Sequence, residues 1–208
     1  MAIEELVEES TEQRKGCNLC KEASLGIGKK TGYGAIVVYR VGTKPENGWF
    51  ATLSPKTGGL EKDFSLQLMP FAHLTHFAQI HKSQELAKNY GISFAKLSNA
   101  MARIMAEESR EFRPTAESKQ SAVSIATYGK CTNWKEKKEH LHIKIFPFRG
   151  GIGQPYTVDS SFGKKEEFMD ETGKRFVKME PVKKIGIPEK RLEALSSKLI
   201  RILAGEER

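Results

Sequence analysis

No apolar run in this 208-residue chain approaches the ~20 residues that a membrane-spanning helix requires. That absence argues against a helical membrane protein. The opening stretch, Met-Ala-Ile-Glu-Glu-Leu-Val-Glu-Glu, is acidic and helical in character. A secretory leader would begin with basic residues followed by an apolar segment, so a cytoplasmic location is the expectation. Cysteine is scarce, three in all, which argues against a disulfide framework. There is neither an internal repeat nor a low-complexity tract, which sets aside repeat architectures. The glycine-rich stretch at 26–34 lacks the Gly-Lys-Ser/Thr that closes a phosphate-binding loop, and reads as a plain basic loop.

What remains is a composition suited to a globular protein, with 38% hydrophobic and 29% charged residues. Net charge is +8, unevenly spread. The N-terminus is acidic, whereas Lys130, Lys135, Lys137, Lys138, Lys144 and Arg149 gather near one histidine-bearing segment. A positive cleft there would attract nucleotides, polyphosphates or nucleic acid.

Periodicity supplies the elements. Residues 2–14 read as a short helix. Three β-rich runs follow, 35–41, 49–53 and 64–68, the last stopping at Pro70. Leu86, Tyr90, Phe94, Leu97, Met101, Ile104 and Met105 make one apolar stripe, predicting a helix over 83–109. Strands are predicted at 122–128 and 139–146, and an amphipathic helix at 188–204, with Pro188 in its first turn. The fold class is therefore α+β, an antiparallel sheet of about five strands with the long helix on one face. The predicted domain spans 1–150, and 151–208 forms a C-terminal extension.

The run from Glu139 to Phe148 alternates polar and apolar residues. On a strand, alternation sends Leu141, Ile143 and Ile145 to a core and His140, His142 and Lys144 to the other face. An imidazole can attack phosphorus, and a neighbouring cation can hold phosphoryl oxygens. Cys17 and Cys20 form Cys-x-x-Cys, a metal or redox spacing. A tetrahedral metal site would need two more donors, and histidines are the natural ones. All five lie in two places, His73, His76 and His81 after the third strand and His140 and His142 on the last. Cys131 reads as a small buried residue. Trp49 and Phe50 read as core rather than as a base-stacking pair.

The order Cys17-Asn-Leu-Cys20, Pro70-Phe-Ala-His73, long helix, strand, His140-Leu-His-Ile-Lys144 resembles the histidine triad superfamily. That superfamily includes nucleotide hydrolases and the galactose-1-phosphate uridylyltransferases. The resemblance covers roughly residues 16–150. It implies a structural zinc ion held by Cys17, Cys20, His73 and His140. It implies that His142 is the nucleophile, giving a covalent nucleotidyl-histidine by attack on an α-phosphorus. A nucleotide or nucleotide-sugar substrate and a homodimer follow from the same resemblance. The third motif position is usually His or Gln in the family and is Lys144 here, with phosphate-holding the expected role. The Gly-Gln or Ser contacts found upstream in many hydrolases are missing. Asn133, with Thr132, or the lysines Lys137 and Lys138 would stand in for them, and Arg149 joins the rim around the substrate. The competing expectations are a catalytically silent nucleotide- or nucleic-acid-binding protein and an enzyme that removes adenylate from nucleic-acid 5′ ends.

Overall fold

The structure is a computed structural model that describes residues 16–57, 60–113, 124–130, 140–148, 162–181 and 184–206. The helix predicted at 2–14 lies outside these residues, as do Cys131, Thr132, Asn133, Lys135, Lys137, Lys138 and Arg149.

The fold is α+β. A one-turn helix α1 (Asn18–Glu22) precedes β1 (Ile36–Val41), β2 (Trp49–Leu53), the short β3 (Lys56–Thr57) and β4 (Leu66–Pro70). The long helix α2 (Gln84–Glu108) follows, then β5 (Ser124–Lys130) and β6 (His142–Phe148). The chain goes on through β7 (Phe162–Met169), β8 (Arg175–Pro181), β9 (Ile185–Gly186) and helix α3 (Glu189–Ala204). Strands β1, β2, β4, β6 and β5, in that order, build one five-stranded antiparallel sheet. The strands β7 and β8 form a separate hairpin, and β3 pairs with β9.

Period-two alternation decides what each face of the sheet carries. Ala51 and Leu53 of β2, Leu66 and Leu68 of β4, and Leu141, Ile143 and Ile145 on and before β6 are all buried. They meet Leu86, Leu97, Met101, Ile104 and Met105 of α2 in one core. Tyr90 and Phe94 of the predicted stripe pack at its margin, half-buried. Trp49 is fully buried and donates its indole N–H to the Leu86 carbonyl at 2.9 Å, so it is a core residue. Phe50 is fully buried as well.

Helix α3 belongs to the same core. Leu192, Leu195, Leu199 and Ile202 pack into it. Arg191 donates to a Glu108 carboxylate oxygen at 2.6 Å, and Lys198 pairs with Glu107, which ties α3 to the end of α2. Pro188 is the N-cap with an extended ψ of 140°, one residue outside the helical turn in which the sequence places it. Gly205, at φ +83°, takes the left-handed conformation that closes the helix.

Strand β4 runs two residues later than predicted. Asp63 accepts the Leu60 amide in a tight turn, which keeps Phe64 out of the ladder. Pro70 fits at the far end, because pairing with β6 stops at Leu68–Ile143 and makes no demand on a Pro70 amide. No described helix is long and apolar enough to cross a membrane.

Candidate metal centre and the adjoining cleft

Cys17 is the N-cap of α1 and Cys20 its third residue, so one turn of helix sets the two sulfurs side by side. Both are buried, and Leu19 and Ala23 of the same segment pack with Phe50, Met69 and Phe71 in a small second core. Arg40 reaches from β1 to donate to the carbonyls of Ala23 and Leu25, at 2.6 and 2.5 Å. Its guanidinium also lies 4.5 Å from the centre of the Phe71 ring. One side chain thus fastens the knuckle to the loop after β4.

That loop carries His73. It is tied to the histidine-bearing segment by the Leu141 amide, which donates to the Leu74 carbonyl at 2.6 Å. Gly48 makes room for the loop, since a Cβ there would lie 1.9 Å from the Phe71 ring. His140 then meets His73 edge-on, with ring centres 5.3 Å apart.

The four predicted ligands converge. His73 Nδ1 is 3.4 Å from Cys20 Sγ, and His140 Nδ1 is 3.5 Å from both Cys17 Sγ and Cys20 Sγ. One donor atom from each residue lies within 4.8 Å of all the others, and all four side chains are buried. The two thiols are not joined to one another. The group can hold a metal ion.

Backbone contacts orient the donors. The Nε2–H of His140 donates to the Pro70 carbonyl at 3.2 Å, which leaves the lone pair on Nδ1, facing the sulfurs. Burial pushes the His140 pKa down from 6.5 to about 4, helped by the proximity of His73. The bond to Pro70 opposes this and is outweighed. A neutral imidazole is the form that binds metal.

His76 and His81 stand apart. His76 caps a 3-10 turn by accepting the Ala78 amide, and both rings are exposed. The choice of His73 follows from the Leu141–Leu74 bond, which brings that one imidazole to the cysteines.

Beside the Cys2His2 group, His142 and Lys144 line a cleft of about 240 Å³. Its floor is a row of side chains across the sheet, Thr52 of β2 opposite Gln67 of β4, and Gln67 opposite Lys144 of β6. Leu19 and Glu22 of α1 form one wall, and burial raises the Glu22 carboxyl above its ordinary range. Tyr33 stands at the mouth, 62% exposed. It is presented by the glycine-rich segment, which folds back on β1 through Gly28 N–H to Val37 C=O at 2.7 Å and Thr31 N–H to Ala35 C=O at 2.8 Å. Positive φ at Gly34 completes the turn.

His142 is 5% exposed, and its Nδ1–H donates to its neighbour's carbonyl, that of His140, at 3.4 Å. That tautomer puts the lone pair on Nε2. Of the other predicted substrate contacts, Asn133, Lys137, Lys138 and Arg149 lie outside the described residues.

Six polar lining residues escaped the sequence reading, namely Glu22, Thr31, Tyr33, Thr52, Gln67 and Lys184. Thr52 and Gln67 had a signal, a polar residue inside an otherwise apolar strand. Lys184 had none. No protein-family model, curated protein or solved structure matches this chain.

Proposed function

We propose that the chain is a divergent member of the histidine triad superfamily, a nucleotidyl hydrolase or nucleotidyltransferase stabilised by a structural zinc ion. One observation carries this reading. His140 is turned into the Cys2His2 group while its own carbonyl accepts the Nδ1–H of His142. The second imidazole thereby offers Nε2 at a polar cleft with an ammonium two residues away.

Zinc suits the donor set. Sulfur ligands at about 2.3 Å and nitrogen ligands at about 2.0–2.1 Å around a tetrahedral ion put sulfur and nitrogen roughly 3.5 Å apart. Three of the four sulfur–nitrogen distances here are 3.4–3.5 Å, and all the donors lie within 4.8 Å of one another. Cys17, Cys20, His73 and His140 would fill all four positions, leaving none for substrate, so the ion's role is to hold the knuckle, the β4 loop and the His segment together.

In the proposed reaction His142 Nε2 attacks the α-phosphorus of a nucleotide. The bond to the leaving group breaks, and a nucleotidyl-histidine forms. Water or a second phosphate then takes the nucleotidyl group. Lys144 neutralises phosphoryl charge as a point charge. Gln67 and Thr52, in the same row, supply hydrogen bonds.

The identity of residue 144 also supports a second reading, a nucleotide-binding protein without turnover. Lysine does not shuttle protons near neutral pH as imidazole does. Incubation with a panel of α-labelled nucleotides separates the two. The enzyme reading expects acid-labile label on the protein, lost in His142→Ala with nucleotide affinity kept within roughly tenfold. Nucleotide binding with no label at any time point would establish the silent reading.

A further inference from the structure

We propose that Glu22 reads the base of the bound nucleotide and selects guanine, in a hollow that opens off the cleft between helix α1 and the glycine-rich segment. The inference rests on the nucleotide reading above, and it holds whether or not the site turns over.

The hollow measures about 540 Å³, with Asn18, Leu19, Lys21, Glu22 and Tyr33 on its walls. Leu19, Glu22 and Tyr33 also line the cleft that holds His142, so the two spaces share a border. A nucleotide with its α-phosphorus at His142 runs its sugar along the cleft and its base across that border. Leu19 and the exposed Tyr33 ring offer the apolar and aromatic surfaces on which a flat base packs. Stacking of that kind accepts any base, since every base has a π-face.

Glu22 is the selective element. It is half-buried, and among the described residues its carboxylate has neither an ion pair nor a hydrogen bond. A carboxylate only accepts, and it repels phosphoryl oxygens. Its ligand must therefore bring N–H or O–H donors. Asn18 stands four residues earlier on α1, one turn away on the same face, and its amide donates. The Lys21 ammonium on the same wall adds a further donor. One wall thus presents donors beside a double acceptor. Guanine carries the complement along a single edge, with the O6 acceptor next to the N1–H and 2-amino donors. Its two adjacent N–H groups match the two carboxylate oxygens. Adenine, cytosine and uracil each place a lone pair beside their one donor, so one of the two contacts turns repulsive. Ribose hydroxyls also donate, but they leave the Asn18 and Lys21 donors without an acceptor.

The test titrates the full-length, metal-loaded protein with four 5′-monophosphates, those of guanosine, adenosine, inosine and 2′-deoxyguanosine. Guanosine monophosphate is expected to bind at least about tenfold tighter than adenosine monophosphate, the effect of one charge-assisted hydrogen bond. Inosine monophosphate lacks the 2-amino group and should fall between them. The deoxy compound should match guanosine monophosphate. Glu22→Gln should erase the preference, because the new amide sets a donor against a guanine donor, and it should not lower the melting temperature. Equal binding of the guanine and adenine nucleotides overturns the inference and leaves the nucleotide reading standing. A guanine preference untouched by Glu22→Gln overturns the assignment to Glu22. Discrimination against the deoxy compound that disappears in Glu22→Gln, with no base preference, means that the carboxylate reads the sugar and also overturns it. Binding of none of the four removes the nucleotide reading and this inference together. Guanine-selective binding without any nucleotidylated protein supports the inference and marks the site as silent.

Discussion

The Pro70 carbonyl accepts the Nε2–H of His140 at 3.2 Å, and this one bond decides which ring nitrogen faces Cys17 and Cys20. The relationship explains why a proline three residues before His73 belongs with the centre. Pro70 ends β4 beyond the last pair with β6, so its carbonyl is turned to the His140 ring rather than to the β6 ladder. A strand end and the orientation of one donor of the Cys2His2 group are thereby set by the same residue.

Acid should dismantle the centre. The folded-state pKa of His140, about 4, lies below its ordinary 6.5, so the unfolded chain takes up this proton first. The stability linked to His140 is then complete above about 6.5 and is lost as pH falls toward about 4. The melting temperature of the metal-free protein, measured from pH 8 to pH 4, is expected to decline across that window. An acid midpoint unchanged in His140→Gln would show that His140 is not the titrating group.

Gly48→Ala should destabilise the protein and loosen the metal. The added methyl would lie 1.9 Å from the Phe71 ring, and the loop bearing His73 would have to move. Overpacking of this kind costs about 1–3 kcal/mol. Urea unfolding measures the cost, and competition with a metal indicator measures the affinity. A drop in stability with unchanged metal affinity would mean that Phe71 does not position His73.

Arg40→Lys is expected to weaken metal binding more than its modest size change suggests. The guanidinium serves two carbonyls and stacks on Phe71, whereas a lysine cannot do all three. A stability loss of about 1–2 kcal/mol follows from the loss of one charge-assisted bond in a half-buried site. Chelator competition at neutral pH is the direct readout, and unchanged metal retention would refute the clamp.

Leu199→Ala should cost about 2–5 kcal/mol, the usual cost of a cavity at a fully buried leucine. The unfolding transition should remain single, because α3 shares its core with α2 and the sheet. A separate low-stability transition would instead make α3 an independent appendage.

Much of this protein is written in local periodicity. Alternation along 139–148 by itself separates Leu141, Ile143 and Ile145 from His140, His142 and Lys144. The three- and four-residue steps from Leu86 to Met105 specify a helix with one buried stripe. Cys-x-x-Cys closes on itself within a single helical turn. Each of these depends on the geometry of a few consecutive residues, which a sequence displays directly. The hairpin of β7 and β8 was harder to see, because its strands are rich in Lys and Glu and carry no clear alternation of apolar residues.

Which histidine joins the cysteines is a different matter. His73, His76 and His81 are equivalent on spacing alone, and the Leu141–Leu74 bond between residues 67 positions apart selects the first. Lys184 reaches the cleft only because β9 pairs with β3, more than 120 residues earlier. Helix α3 joins the core through the same kind of long-range fit. Such pairings depend on how surfaces formed by distant segments match once the sheet is assembled, and no short window of sequence contains that match.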